Sequence, residues 1–282
     1  MIIDRMVWRT GAAAIVATMM FAFVVFRTEE WSGGFSGRAS SGIANTKVIP
    51  QIAVGSFDGN RTTYSTFIQV INTGTAAVTL SGDFYNEDGS PATLQMTTTA
   101  SALPAFTGAF SNLILAVSSA FVINVDTATE YTPLWGKVVS TATVAISSEF
   151  ELRDGKTNAL YSRVGVAASD PDMRRFVIPR LWNAAAALDT GFAIVNTGTS
   201  SATLTATLCC TATGSTVKTV SRVFMAGQKM PTFANSFFGL GTETAEAQPQ
   251  FMLFDSTSPQ FAATGFAVEG AKLASVPVER LR

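Results

Sequence analysis

Three groups of side chains in this 282-residue sequence have types and spacings that could do chemistry. Glu149, Glu151 and Asp154 offer a carboxylate pair of the kind that cleaves glycosidic bonds, one group as acid and the other as base or nucleophile. Asp83, Glu87 and Asp88 gather oxygen ligands of the kind calcium takes from a loop. Cys209 and Cys210 could in principle hold a metal or cycle between redox states. Each group also has a plainer reading. Glu149 and Glu151 flank Phe150, so a strand would carry both on one solvated face. Asn86-Glu87-Asp88-Gly89 reads as a hairpin turn. Neighbouring cysteines on a strand point to opposite faces, and a disulfide between them needs unusual local geometry. The expectation is one buried and one exposed thiol.

What the chain lacks narrows the field further. It has no histidine, which removes the Ser-His-Asp and Cys-His triads, the usual zinc sets and the commonest general base. It has no P-loop, GxGxxG, CxxC or GxSxG element. Gly239-Leu240-Gly241 lacks the strand-to-helix setting of a phosphate loop, and Asn60-Arg61-Thr62 is an incidental glycosylation pattern. The net charge of -1 provides no basic stripe for a nucleic acid. The reading is therefore a non-enzymatic protein with no catalytic residues, no metal and no cofactor, acting through its surfaces.

Those surfaces are unusual in composition. Charged residues make up 14% of the chain, against roughly 25% in typical soluble domains, so Thr, Ser, Asn and Gln must supply the polarity. Hydrophobic content of 47% excludes disorder as the general state.

Gly11 to Phe26 is an unbroken run of apolar and small residues, preceded by Arg5 and Arg9. Its centre includes Ile15, Val16, Phe21, Phe23 and Val24, which are expected to sit in a membrane. Sixteen residues of helix rise about 24 Å, and Met6 to Trp8 extend the span toward the ~30 Å hydrocarbon core. The basic flank should remain cytoplasmic, leaving the rest of the chain outside. Residues 1–26 read as a signal anchor. A cleaved signal peptide stays open, although Val25-Phe26-Arg27 is a poor cleavage site. Residues 27–46 are Gly- and Ser-rich and read as a flexible linker.

The remainder repeats itself. Val48-Ile49-Pro50 recurs as Val177-Ile178-Pro179, and Phe67 to Thr75 matches Gly191 to Thr199 with Asn-Thr-Gly-Thr in common. Ser140-Thr141 and Phe150 align with Ser256-Thr257 and Phe266. Val164-Gly165-Val166 and Val276-Pro277-Val278 close the two units. The order is kept throughout, which predicts two modules, 47–169 and 173–282.

Within the first module, strand-like segments run Val48 to Val54, Tyr64 to Ile71, Ala77 to Tyr85, Ala92 to Thr97, Ala120 to Val125, Leu134 to Ser140, Val144 to Leu152 and Ala159 to Val166. Asn72-Thr73-Gly74 and Asn196-Thr197-Gly198 are expected where the chain reverses, because Asn and Gly both tolerate positive φ. Phe84, Phe121, Trp135, Phe150, Phe192, Phe251 and Phe266 are expected to fill two inter-sheet cores.

The stretches INTGTAAVTLSGDFYNEDGS and VNTGTSSATLTATLCCTATGS resemble the Asn-x-Gly signature of tandem immunoglobulin-like β-sandwich modules in exported bacterial envelope proteins. That resemblance implies an all-β chain of two tandem immunoglobulin-like sandwiches after one N-terminal hydrophobic helix. It also implies spacing, adhesion or assembly as the role, and supplies no catalytic residue. Partners would be the membrane, through the N-terminal helix, and a second copy or another envelope protein. A self-assembling filament or surface-layer subunit and a carbohydrate-binding sandwich are the alternatives. Within the loops, Phe237 and Phe238 in Asn235 to Leu240, and Leu188 at the end of Ala184 to Leu188, are candidate partner contacts.

Overall fold

The computed structural model describes residues 45–56, 59, 61–209, 215–240 and 250–282, all within one compact unit, Ser41–Arg282. The expected anchor with Ile15, Val16, Phe21, Phe23 and Val24, the linker up to residue 44, and Cys210 lie outside the described residues. Among the described residues, no helix is long and apolar enough to cross a membrane.

The described chain is all-β, in several antiparallel sheets. Its earlier part, β1(Asn45–Val54), β2(Thr62–Ile71), β3(Val78–Asn86), β4(Gln95–Thr98), β5(Ala105–Thr107), β6(Ala109–Leu115), β7(Ala120–Val125), β8(Thr132–Ser140), β9(Ala145–Asp154) and β10(Leu160–Ala167), forms two sheets. Their orders are β1-β8-β3-β6 and β10-β9-β2-β7-β4-β5. The later part contains β11(Arg175–Arg180), β12(Leu188–Asn196), β13(Ala202–Cys209), β14(Lys218–Phe224), β15(Lys229–Phe233), the short helix α1(Ala234–Phe238), β16(Gln250–Ser256), β17(Phe261–Glu269), β18(Lys272–Val276) and β19(Glu279–Leu281). It forms sheets β14-β13-β16-β11-β19 and β15-β12-β17-β18. Strand-forming residues alternate as a two-layer protein requires: along β3, Val78, Leu80, Gly82 and Phe84 are buried between less buried neighbours.

The pairing of the two halves is equivalent. β3 lies between β6 and β8 as β13 lies between β14 and β16, and β2 lies between β7 and β9 as β12 lies between β15 and β17. Side-chain bonds repeat with it. Thr66 Oγ1 accepts from Ala53 N at 3.0 Å and donates to Ala53 O at 2.7 Å, tying β2 to β1 in the opposite sheet. Thr190 Oγ1 accepts from Leu181 N at 2.7 Å in the same way. In a constant-type immunoglobulin sandwich the first two strands are neighbours in one sheet. Here β1 and β2 belong to different sheets, as do β11 and β12, so the likeness does not extend to strand order.

Register corrects the alignment at two places. Ile194 faces Ala263 whereas Val70 faces Ile146, so one extra residue before β17 puts Phe266 in register with Glu149, and Phe150 with Ala267. Val276 faces Gly265 as Val166 faces Ser148, so Val276 matches Val166 and Pro277 ends the strand.

The Asn-Thr-Gly segments are turns, but not for the expected reason. Neither Asn72, Gly74, Asn196 nor Gly198 has positive φ. Asn72 and Asn196 are instead buried hubs of hydrogen bonds. Asn72 Nδ2 donates to the carbonyls of Ala76, Leu115 and Ala116 at 2.8, 3.1 and 3.0 Å, and its Oδ1 accepts from Gly74 N at 2.9 Å. Asn196 does the same with Ser200, Phe224, Met225 and Gly198. Gly198 is short of space. A Cβ on Gly198 would lie 2.5 Å from Gln260 Cδ, whose amide Nε2 donates to Asn196 Oδ1 at 2.9 Å.

Each half has its own apolar core. Phe84 and Phe121 lie in the first, and Phe192 in the second, as expected. Trp135, Phe150, Phe251 and Phe266 do not. Phe251 is 37% exposed, and the other three pack between the halves. Alternation shows that a strand has a buried face, but in β8, β12 and β17 neighbours cover both faces.

Candidate functional site

Most of the groups that suggested chemistry are held by ion pairs or within turns. Glu151 is buried rather than solvated, and it is bound by Arg153 Nε at 2.7 Å and by Arg163. Burial pushes its carboxyl up, but the bonds from Arg153 and Arg163 outweigh this and leave it below its ordinary value. That is the reverse of what a glycosidic general acid needs. Glu149 pairs with Arg163 at 3.1 Å. Asp154 accepts from Lys156 N and Thr157 N and binds the Tyr161 hydroxyl, which holds its carboxyl well below the usual range.

The supposed calcium ligands also part company. Asp83 pairs with Lys137 at 3.4 Å, Asp88 caps its own turn through Ser90, and Glu87 turns toward Lys229. Among the described residues no three His, Cys, Asp or Glu side chains are grouped to hold a metal. Cys209 is buried.

The two phenylalanines among the candidate partner contacts are placed otherwise than expected. Phe237 and Phe238 form α1, closed by Gly239 in the left-handed conformation (φ 57°), and both rings are buried in the second core. Phe237 packs edge-on to Phe192 at 5.5 Å. Neither ring is available to a partner. Leu188 is half-buried against the same core.

The features that stand out lie instead where the halves meet. Trp135 of β8 stacks on Tyr85 at 4.3 Å and packs with Val48, Val195 and Ala262. Phe150 meets Phe266 edge to face at 5.3 Å. Small residues make this fit possible: Gly191, Ala193 and Val195 share one face of β12, with Ala262 and Thr264 beside them on β17. Polar groups are trapped here. Gln51 Oε1, Glu87 Oε1, Trp135 Nε1 and Thr264 Oγ1 are buried without hydrogen-bond partners. One legible signal existed in the sequence. Gly191-Phe192-Ala193-Ile194-Val195 is an unbroken apolar run, the mark of a strand covered on both faces.

Lys229 is the most unusual group in this seam. Its Nζ, inside the protein, donates to Leu134 O of the other half at 2.8 Å, and Lys229 N donates to Glu87 O at 2.8 Å. Burial pulls its amine down to about 7, with Glu87 opposing, and burial raises Glu87, with Lys229 opposing. The unfolded chain therefore binds the Lys229 proton more tightly, and stability should rise with pH between about 7 and ~10.4. Near the middle of that window the slope approaches ~1.4 kcal/mol per pH unit. Tyr131, pushed up to about 12 by burial against a hydrogen bond from Gln51, keeps its proton longer when folded, so the gain reverses above pH ~10. Urea midpoints at pH 7, 8.5 and 10 check this. The joint variant Lys229→Met, Glu87→Gln should lose the rise.

Beside the buried pair the seam opens into a cavity of about 450 Å³. Tyr64, Tyr131 and Phe150 of the first half and Phe233 and Phe266 of the second line it, with Gln51, Gly191 and Val268. Tyr64 and Tyr131 meet edge to face at 5.8 Å.

The fold and seam thus define an all-β protein of paired antiparallel sheets with a ring-lined cavity between its halves. No protein-family model matches the chain, and no curated protein matches it. Among solved structures it is similar to the pilus backbone of Streptococcus pneumoniae, at 11% identity and a TM-score of 0.16, over 83% of this chain and 98% of that one. At that TM-score the likeness carries no argument.

Proposed function

We propose that this chain is a non-enzymatic, exported cell-envelope protein in which two tandem sandwich modules, immunoglobulin-like in their two-layer build, act together as one stiff scaffold or adhesion unit. The observation that carries the reading is the seam. Trp135, Val48, Val195 and Ala262 are buried between the halves, so the halves act as a single body rather than as beads on a string. The carboxylates that could have catalysed hydrolysis are engaged in ion pairs and turns, which supports a role through surfaces. The run Gly11 to Phe26 supports anchoring in the cytoplasmic membrane with the sandwiches outside. Fractionation with protease shaving of intact cells tests this. Recovery in the membrane fraction with loss of residues 45–282 on shaving is expected, and a cytosolic, protected protein would remove the reading.

A filament or surface-layer subunit is the second reading, and one observation favours it. The edge strands β6 and β14 carry Ile114 and Val223 at equivalent positions, opposite Thr79 and Thr203, and these side chains are 71% and 64% exposed. Such edges can pair between copies. Electron microscopy of concentrated purified protein distinguishes the two readings, because a scaffold unit stays as single particles.

A further inference from the structure

We propose that the cavity in the seam is a binding site for an uncharged aromatic compound of one or two fused rings. Its volume, about 450 Å³, falls in the range of small-ligand sites, roughly 300–1,000 Å³. Its walls include two pairs of rings packed edge to face, Tyr64 with Tyr131 and Phe150 with Phe266, which a further ring can meet edge-on or offset, the geometries aromatic groups prefer. None of the lining residues carries a charge, so an ionised ligand would leave water without compensation.

Sugars fit poorly for a related reason. The lining is predominantly carbon, with the Gln51 amide and the hydroxyls of Tyr64, Tyr131, Thr232 and Ser236 as its polar side-chain groups, so taking every hydroxyl of a sugar out of water costs more than placing an uncharged ring there.

The repeat explains why the space exists. Gly191 stands in register with Phe67 of the first half. A Cβ at Gly191 would make ordinary contacts with Phe233 Cε1 at 3.4 Å, Phe233 Cδ1 at 3.6 Å and Val268 Cγ2 at 3.7 Å, all on residues that line the cavity. Gly191 does not have positive φ, so nothing in its backbone demands glycine. The second half thus carries no side chain at the position where the first carries Phe67, and the cavity leaves room for a ring there. Phe233, 45% exposed, stands at the mouth.

The test titrates the protein with indole and 2-naphthol by calorimetry and by thermal shift, with benzoate and glucose as charged and sugar probes. Saturable one-to-one binding of the neutral rings is expected, with Kd on the order of 10–100 μM. Benzoate and glucose should bind at least ~10-fold more weakly. Gly191→Phe should abolish binding while the far-UV spectrum stays unchanged. Should that variant fail to fold, Phe233→Ala, on the exposed rim, should weaken binding ~5-fold or more with folding intact. No saturable binding of either ring compound by the wild type would overturn the proposal. So would wild-type affinity in a folded Gly191→Phe or Phe233→Ala variant, or equal affinity for glucose or benzoate.

Discussion

Asn196→Ala is expected to cost roughly 4 kcal/mol of stability, read as a lowered urea midpoint with an unchanged slope. The Asn196 amide shares its two hydrogens among the carbonyls of Ser200, Phe224 and Met225, and its Oδ1 accepts from Gly198 N and Gln260 Nε2. The residue is fully buried, so alanine would leave these groups inside the protein with no water to replace the lost partner. Each buried orphan costs about 1–3 kcal/mol, and local relaxation recovers part of the sum. The bonds also join the end of β12 to the end of β14 in the opposite sheet, so the loss loosens the packing of both layers. Asn196→Asp discriminates the cause. It keeps the acceptor but turns an oxygen toward carbonyls, and it should be at least as damaging as alanine. Asn72→Ala should act similarly in the first half, where Leu115 and Ala116 accept in place of Phe224 and Met225.

Trp135→Ala should cost about 3–5 kcal/mol, the usual range for emptying a large aromatic site. The indole stacks on Tyr85 and fills the space left by small residues on β12 and β17, so its removal opens a cavity between two rigid sheets. Trp135→Phe should cost under about 1.5 kcal/mol, because it keeps a ring and also removes the unpartnered Nε1. Thermal unfolding of the two variants beside the wild type checks both values. Equal losses for Ala and Phe would show that the seam does not depend on filling this site.

Much of the sheet architecture was legible in the sequence, because period-two alternation and a repeated segment are local signals. β6 was missed for an equally local reason. Asn112 adopts positive φ (58°), and the ladder to β3 shifts register between Leu80 and Gly82, so Phe110, Leu113 and Leu115 fall out of strict alternation. The candidate site was largely illegible. Lys229 and Glu87 lie 142 positions apart in the chain, and nothing near either residue announces that they meet. Trp135 and Phe266 read as core residues because an apolar side chain on a strand looks the same whether its own sandwich or another covers it. The signals present were the unbroken apolar run Gly191 to Val195, the mark of a strand covered on both faces, and glycine at 191 where the first unit has Phe67.

The buried indole has a consequence for how the duplicated units can be handled. A fragment ending near residue 169 would carry Val48 and Trp135 bare on its outside, and a fragment starting near 173 would expose Val195 and Ala262. Each would be a sticky, oligomerising piece rather than a freestanding brick. The copies have become left and right hands of one object. They cannot be shuffled, multiplied or grafted singly as tandem beads can, and any natural or engineered lengthening of this protein must proceed by adding the pair.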